Sequence, residues 1–443
     1  MPAMHATYRD DEGFAREMDL ADPLRGCREQ FHLPTIGSLA RAFPELAGHP
    51  AAGEACVYLT GNSLGLQPRG VRGALETELR DWAELGVEGH VHGKHPWLPY
   101  HRELREMAAR LVGGLPHEVV VMNSLTVNLH LLMVSFYRPT AQRYKIVIED
   151  AAFPSDSYAV GSQADLHGFV PSEAVVRLRP RAGERTLRTE DVVETIRREG
   201  SKVALVMLGA VNYSTGQFMD MPTITKAAHE VGAIAGWDLA HAAGNVVLKL
   251  HEWNADFACW CSYKYLNSGP GAIAGAYVHE RHARDSKLKQ FAGWWGNDEA
   301  TRFKMGPDFS PVPTADRWQI SNPPIFSLTP VRVSLEIYDK VGMAALREKS
   351  LKLTGYLEWL IDRVNERKPG AITVATPRDE GQRGCQLSLV VSREAKSFHA
   401  ALQREGVITD FREPDVVRAA PVPLYNSFHD VWRFGQILKK QLA

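Results

Sequence analysis

Between residues 118 and 280, short apolar runs alternate with helical patterns, and no other feature of the chain constrains its fold as much. The spacing predicts strands at 119–122, 144–148, 203–208, 233–237, 257–261 and 272–278, with helices such as 127–136, 189–198 and 224–231 between them. Several of these strands are apolar on both faces, as strands covered by helices on each side must be. Alternation of that kind implies an α/β domain built on an open, doubly wound and mostly parallel sheet. After the Pro-containing stretch 321–324 the rhythm changes. A helical pattern over 330–340 resumes at 343–367, followed by a strand (386–391), a helix (398–404), strands at 407–411 and 416–420, and a helix at 428–442. This predicts a smaller C-terminal α+β domain. At 443 residues the chain exceeds one ordinary core. The expected division is an N-terminal arm over 1–60, a large domain over 61–330 and a small domain over 331–443.

Composition removes several classes of function. A formal net charge of −1 gives no electrostatic case for nucleic acid or an anionic membrane. No apolar stretch is long enough to span a bilayer, and residues 1–17 lack an apolar signal core. The five cysteines are scattered and odd in number, as expected of reduced thiols in a cytoplasmic protein. Cys259-Trp260-Cys261 has the wrong spacing for a zinc knuckle and falls in a predicted core strand. The His-rich stretch from Glu88 to His95 matches neither zinc-finger nor HExxH spacing, so no metal is expected there. A loop offering one substrate-facing histidine suits it better.

Two motifs at predicted strand ends carry the chemistry: Trp237-Asp238-Leu239-Ala240-His241 and Ser262-Tyr263-Lys264-Tyr265. Ligand sites of open α/β sheets gather at the carboxyl ends of strands. Alone, Lys264 is a solvated loop lysine, Asp238 a helix cap, and His241 a surface or core histidine. Together, flanked by the turn Asn267-Ser268-Gly269-Pro270-Gly271, they supply what pyridoxal 5′-phosphate (PLP) needs. An amine forms an imine with its aldehyde, and a carboxylate keeps its ring nitrogen protonated. A phosphate site is then required. Leu125 and Thr126 open the helical run after Asn123-Ser124, which is either an ordinary N-cap or an anion site. Tyr263 either packs or adds a phenolic hydrogen bond to the phosphate. Phe153-Pro154-Ser155-Asp156 is either a capped proline turn or an aromatic platform with a carboxyl for the ring. Arg418, inside an apolar strand, either lies on a polar face or binds the carboxylate of an amino-acid substrate.

These motifs, in order, resemble those of the kynureninase family. The resemblance runs through Gly61-Asn62-Ser63-Leu64-Gly65, Met122-Asn123, Leu125-Thr126-Val127-Asn128-Leu129-His130 and Phe153-Pro154-Ser155-Asp156. It continues through Asp238-Leu239-Ala240-His241, Cys261-Ser262-Tyr263-Lys264-Tyr265, Ile320-Ser321-Asn322-Pro323-Pro324 and Pro421-Val422-Pro423-Leu424-Tyr425-Asn426-Ser427-Phe428-His429. It covers the chain from about residue 56 onward and is looser before that.

The resemblance implies the fold-type I PLP scaffold and a homodimer whose active sites are shared between subunits. It further implies a hydrolase that cleaves the Cβ–Cγ bond of L-kynurenine, or of its 3-hydroxy analogue, to anthranilate or 3-hydroxyanthranilate and L-alanine. Such an enzyme serves tryptophan catabolism by the kynurenine pathway, or NAD biosynthesis. By the same resemblance Lys264 is the Schiff-base lysine and the base for the Cα proton. Leu125, Thr126 and Tyr263 bind phosphate, with Tyr263 also a candidate for proton transfer. Phe153, Pro154, Ser155, Asp156, Asp238 and His241 surround the ring. Trp294 and Asn322 reach the cofactor from the neighbouring subunit, Ser63, His90 and Asn322 face substrate, and Arg418 binds its carboxylate. His90, Ser321 and Asn322 look like the variants associated with the 3-hydroxy substrate. One departure is Gly209, which stands where the family pattern has a serine near the phosphate. The alternatives are a cysteine desulfurase-like or aminotransferase-like enzyme on the same scaffold, or a binding protein that kept the fold alone. A desulfurase needs an exposed nucleophilic Cys, whereas Cys259 and Cys261 fall in a predicted buried strand and Cys385 beside one.

Overall fold

The structure, a computed structural model, describes residues 8–442; the first seven residues of the expected arm and residue 443 lie outside the described residues. The chain divides into two units.

One unit comprises Gly70–Tyr213 and Phe218–Lys340. Its seven-stranded sheet contains β1 (Val119–Val121), β2 (Lys145–Glu149), β3 (Val175–Leu178), β4 (Val203–Gly209), β5 (Ile234–Asp238), β6 (Phe257–Trp260) and β7 (Gly275–Val278). They lie in the order β1-β7-β6-β5-β4-β2-β3. Neighbours from β3 to β6 pair in parallel, whereas β7 runs antiparallel to both β6 and β1. Strands β1, β6 and β7 are buried along their whole length, which explains why they are apolar on both faces. Strand β3 was not expected. It lies at the sheet edge with Arg177 exposed, so the two-faced apolar pattern that marks the others is missing.

Side chains from several elements lock the helices onto this sheet. The Phe136 ring stacks 4.9 Å from Phe257 and 6.1 Å from Trp318. Burial of each such ring contributes roughly 1.5–3 kcal/mol. Room for the rings depends on glycine: a Cβ at Gly236 would lie 2.2 Å from the Phe257 ring, and one at Gly275 2.3 Å from Trp260. The helix Ile325–Val341 begins ahead of the expected 330, with Pro330 inside it. A proline there forfeits one backbone hydrogen bond without ending a helix that tertiary packing holds.

At the amino ends of the central strands Asp256 is buried among donors. Its carboxylate accepts from Ala235 N (2.7 Å), His229 Nε2 (2.8 Å), His282 Nε2 (2.6 Å) and Arg281 Nη2 (2.5 Å). Burial alone would raise its pKa, but these donors outweigh burial and hold it below the usual carboxylate range.

The other unit takes in the chain up to Arg69, Ser214–Gln217 and the chain from Val341. Its antiparallel sheet has the order β10-β11-β9-β8, formed by β8 (Ile372–Val374), β9 (Leu387–Val391), β10 (Asp410–Arg412) and β11 (Val416–Ala419). The single strand expected over 407–411 is two pieces. Val407–Ile408 pairs in parallel with Val57–Tyr58, and β10 pairs with β11. Helices Met343–Arg367 and Phe428–Leu442 cover the core with Leu353, Tyr356, Leu357 and Leu360 facing Val431, Phe434 and Leu438. These positions recur at three- and four-residue spacing, which puts them on one helix face. Residues expected in the arm join this core: Ala15 is buried in it, and Tyr8, Phe14 and Met18 pack against it.

Asp256→Ala leaves Arg281 and two histidines without their shared acceptor, so stability should fall by about 3 kcal/mol at neutral pH. Because the folded pKa of Asp256 is depressed, its contribution is present above the unfolded carboxylate pKa of about 3.9 and is lost as pH falls below it. Urea unfolding at neutral and acid pH should therefore show a gap between variant and wild type that closes on acidification.

Candidate active site

Five strand ends and loops of the first unit converge on one pocket of about 550 Å³. Asp238 ends β5 and Lys264 follows β6, the neighbouring parallel strand. The turn after Lys264 bends sharply, with positive φ at Asn267 (54°), Gly269 (80°) and Gly271 (77°). Lys264 Nζ lies 3.0 Å from His241 Nε2 and 5.7 Å from the centre of the Phe153 ring.

Asp238 is buried and accepts from Ala240 N at 2.6 Å. Its side chain neighbours that of Asp156, from the first turn of α2 (Pro154–Leu166), and two carboxyls buried so close repel unless one carries a proton. Asp156 is the one pushed up, first by burial and then by the charge of Asp238, with Lys264 opposing. Its Oδ1 is buried without a hydrogen-bond partner among the described residues.

The opposite wall holds two helix N-termini. Ser124 is the N-cap of α1 (Leu125–Phe136), following Asn123 at a φ of 50°, and its side chain makes no capping bond. Phe153 is the N-cap of α2. Thr126 Oγ1 and Ser155 Oγ meet at 2.7 Å between them. Hydroxyls and backbone N–H groups at two helix starts make a ready anion site. Phe153 packs edge-on to Tyr213, which also lines the pocket with Asn212. Tyr263 lines it too, and burial, with Cys261 nearby, raises its pKa.

The remaining expected residues gather elsewhere. His90, Trp294 and Asn322 line a second cavity of about 790 Å³ with Trp97, Trp295 and Phe303. His90 Nδ1 lies 2.9 Å from Val87 O, and Trp294 remains 45% exposed. Ser63 and Arg418 belong to the other unit, where both meet Asp410 Oδ2: Arg418 Nη2 at 2.5 Å, and Ser63 Oγ through a short hydrogen bond. Arg418 is buried and sits directly across from Asp410 in the β10–β11 register. Pro154 is the first residue of α2 and Leu125 the first of α1.

Sequence reasoning missed Glu149, which ends β2 and lines the lysine pocket. Burial pushes its pKa up to about 7. Its signal was available: an acid at the carboxyl end of an apolar strand, the same position that singled out Asp238. A further cluster, Glu118, His251 and His279, has ligand atoms close enough for a metal, but Glu118 already accepts from the Leu115 and Glu280 backbone N–H groups and from His251.

A lysine and a buried acid at neighbouring strand ends of this sheet, with paired helix starts opposite, define the fold-type I class of PLP enzymes. The fold is that of solved structures such as a cysteine desulfurase, CsdA, from Escherichia coli (TM-score 0.72, 18% identity, 95% of this chain and 98% of that one). It is also that of a C-DES mutant with glycine covalently linked to its PLP cofactor (TM-score 0.71, 16% identity, 91% and 98%). Sequence goes further. A model described as the kynureninase C-terminal domain matches residues 346–438. The kynureninase of Myxococcus xanthus is 58% identical across 98% of this chain and 97% of its own, and that of Nematostella vectensis 47% identical across 96% and 92%. The chain belongs to the kynureninase family.

A raised folded pKa at Asp156 means that stability declines as pH climbs from the unfolded value of about 3.9 toward the folded one. Asp156→Asn mimics the protonated form. It should raise the unfolding midpoint of the cofactor-free protein at neutral pH and flatten its decline between mildly acid and neutral pH. A decline as steep as wild type would contradict the assignment of the proton.

Proposed function

We propose that this protein hydrolyses the Cβ–Cγ bond of L-kynurenine, or of its 3-hydroxy analogue, releasing anthranilate or 3-hydroxyanthranilate and L-alanine, with PLP held in the Lys264 pocket. The observation that carries the reading is the Lys264 amine in one pocket with the buried carboxyls of Asp238 and Asp156.

The residues present fit the cofactor. Asp156 Oδ1 is buried without a hydrogen-bond partner among the described residues, which leaves it for a polar substituent of the ring. The Thr126 and Ser155 hydroxyls, bonded to each other between two helix starts, offer a phosphate site. Phe153 presents an aromatic face to the amine. When bound, PLP supplies an electron sink for charge developing on the substrate's α-carbon.

The chain's own residues do the rest. Asp238 holds the ring nitrogen's proton, with Asp156 beside it. Lys264 Nζ removes the Cα proton, and His241 Nε2 at 3.0 Å keeps that amine aimed into the pocket. Leu125 and Ser155 contribute backbone N–H groups at the helix starts, Pro154 sets the entry of its helix beside the ring, and Thr126 and Tyr263 contribute hydroxyls. Tyr263, whose hydroxyl is kept protonated by burial, is the donor for the alanyl carbon once the aryl fragment leaves. Arg418 takes the substrate carboxylate, with Ser63 beside it. Water adds to the γ-carbonyl, so one kynurenine and one water give the two products.

Trp294, His90 and Asn322 complete the site from a second copy of the chain. Their separate aromatic cavity and the exposure of Trp294 support a homodimer with shared sites. His90 and Asn322 in that cavity, with Ser321 beside Asn322, favour the 3-hydroxy substrate. Among the described residues no helix is long and apolar enough to cross a membrane, and none of the five buried cysteines forms a disulfide. The thiols support a cytoplasmic location. The desulfurase alternative fares poorly because burial raises the pKa of Cys259 and Cys261, away from the thiolate that chemistry needs.

Purified protein should release fluorescent anthranilate and alanine in equal amounts from kynurenine. Lys264→Ala should abolish this release and the borohydride-fixed cofactor on the peptide that carries the lysine. Attachment at another peptide would refute the assignment. Neither Lys264→Ala nor Asn322→Ala homodimers should turn over substrate appreciably, whereas chains co-expressed and assembled as mixed dimers should recover activity. No recovery would contradict shared sites.

A further inference from the structure

Glu149 lines the pocket yet has no part in the steps above. It ends β2, beside the strand end of β4 at Gly209, which in turn neighbours Asp238 on β5. Its side chain is 3% exposed. The two carboxyl oxygens differ. Oε1 accepts from Gly209 N at 2.9 Å, beyond the last pairing of β2 with β4. Oε2 is buried with no hydrogen-bond partner among the described residues.

A backbone N–H only donates, so the oxygen it holds is the unprotonated one and any proton sits on Oε2. Charge decides that a proton is there. Glu149 shares the enclosure with Asp238 on β5 and Asp156 on α2, and the Lys264 amine is the cation set against them, with His241, Tyr213 and Tyr263 as the other titratable groups. Three ionised carboxylates would surround a cofactor that itself brings a phosphate and a phenolic oxygen. Burial and the charge of Asp238 push Glu149 toward its neutral form, against the pull of the Gly209 N–H. Gly209 has no side chain to intervene: a Cβ there would lie 3.0 Å from Oε1.

We propose that Glu149 is a cofactor-binding residue that works as a neutral carboxylic acid, with Gly209 fixing Oε1 and the Oε2 hydroxyl donating to an anionic oxygen of the bound cofactor. The proposal rests on the PLP reading of this pocket. It also explains how the chain accommodates glycine where the family pattern has a serine: the donor comes from the next strand.

The test is PLP binding to the cofactor-free protein, followed by quenching of intrinsic fluorescence between about pH 6 and 8, the range over which such an acid ionises. In Glu149→Gln the amide oxygen takes the Gly209 N–H and the amide nitrogen donates in place of the hydroxyl. Its affinity at the acid end should stay within about threefold of wild type, because donor and neutrality are both kept. Wild-type binding should weaken as pH rises through the ionisation of Glu149, and the Gln variant should lack that limb. Glu149→Ala should bind about tenfold or more weakly at the acid end, the cost of losing a hydrogen bond to a charged acceptor. Repeating the Ala comparison with pyridoxal, which lacks the phosphate, assigns the acceptor: a persisting deficit supports the ring oxygen, a vanished one the phosphate. An Ala variant that binds like wild type, or a Gln variant with the wild-type pH limb, would overturn the proposal. Failure of the wild type itself to take up PLP would instead defeat the functional reading.

Discussion

Two carboxyls buried against each other beside a lysine amine are the interaction on which the rest of this structure depends. Enclosing Asp156 with Asp238 is unfavourable unless they share a proton and an opposite charge stands near. The sheet supplies that enclosure. Parallel strands β2, β4, β5 and β6 all end on one side, and each hands its last residue or its following turn to the same space. The helices entered after β1 and β2 begin there as well, so their free N–H groups meet the pocket from across. One topological fact thus assembles a lysine amine, an acid pair and two helix starts around one pocket. The cost of burying negative charge is offset where a cofactor can offer a protonated nitrogen.

What was legible in the sequence follows from what is local. Asp238 and Lys264 were visible because each stands beside a strand with an unmistakable apolar pattern. Thr126 and the Phe153–Asp156 segment were visible for the same reason at the starts of helices. Glu149 carried the same strand-end signal as Asp238 and was passed over, because nothing local shows its tie to Gly209, 60 residues on. Asp410 was not visible as the partner of Arg418. That pair exists through the cross-strand register of β10 and β11, and the run over 407–411 looked like one strand when it splits between two sheets. Strand β3 escaped because an edge strand with an exposed arginine lacks the two-faced apolar signature.

The scaffold itself says little about chemistry. Cysteine desulfurases share it at 18% identity, and the difference lies in side chains. The cysteines nearest the pocket are buried beneath it, with raised pKa values, while the acids and the lysine face inward. Burial is therefore distributed selectively: it silences the thiols and tunes the carboxyls. The proposed recognition elements, the aromatic cavity around Trp294 and the Ser63–Asp410–Arg418 cluster, lie in separate parts of the chain.

The central claim is that the acid pair holds a ring nitrogen protonated opposite Lys264. Nitrogen-15 resonance of the holoenzyme, loaded with ring-labelled cofactor, reads that proton directly. A pyridinium shift that persists from mildly acid to mildly alkaline pH, and collapses to the neutral pyridine position in Asp238→Asn, is the result this account predicts. A neutral pyridine shift in the wild type would contradict it.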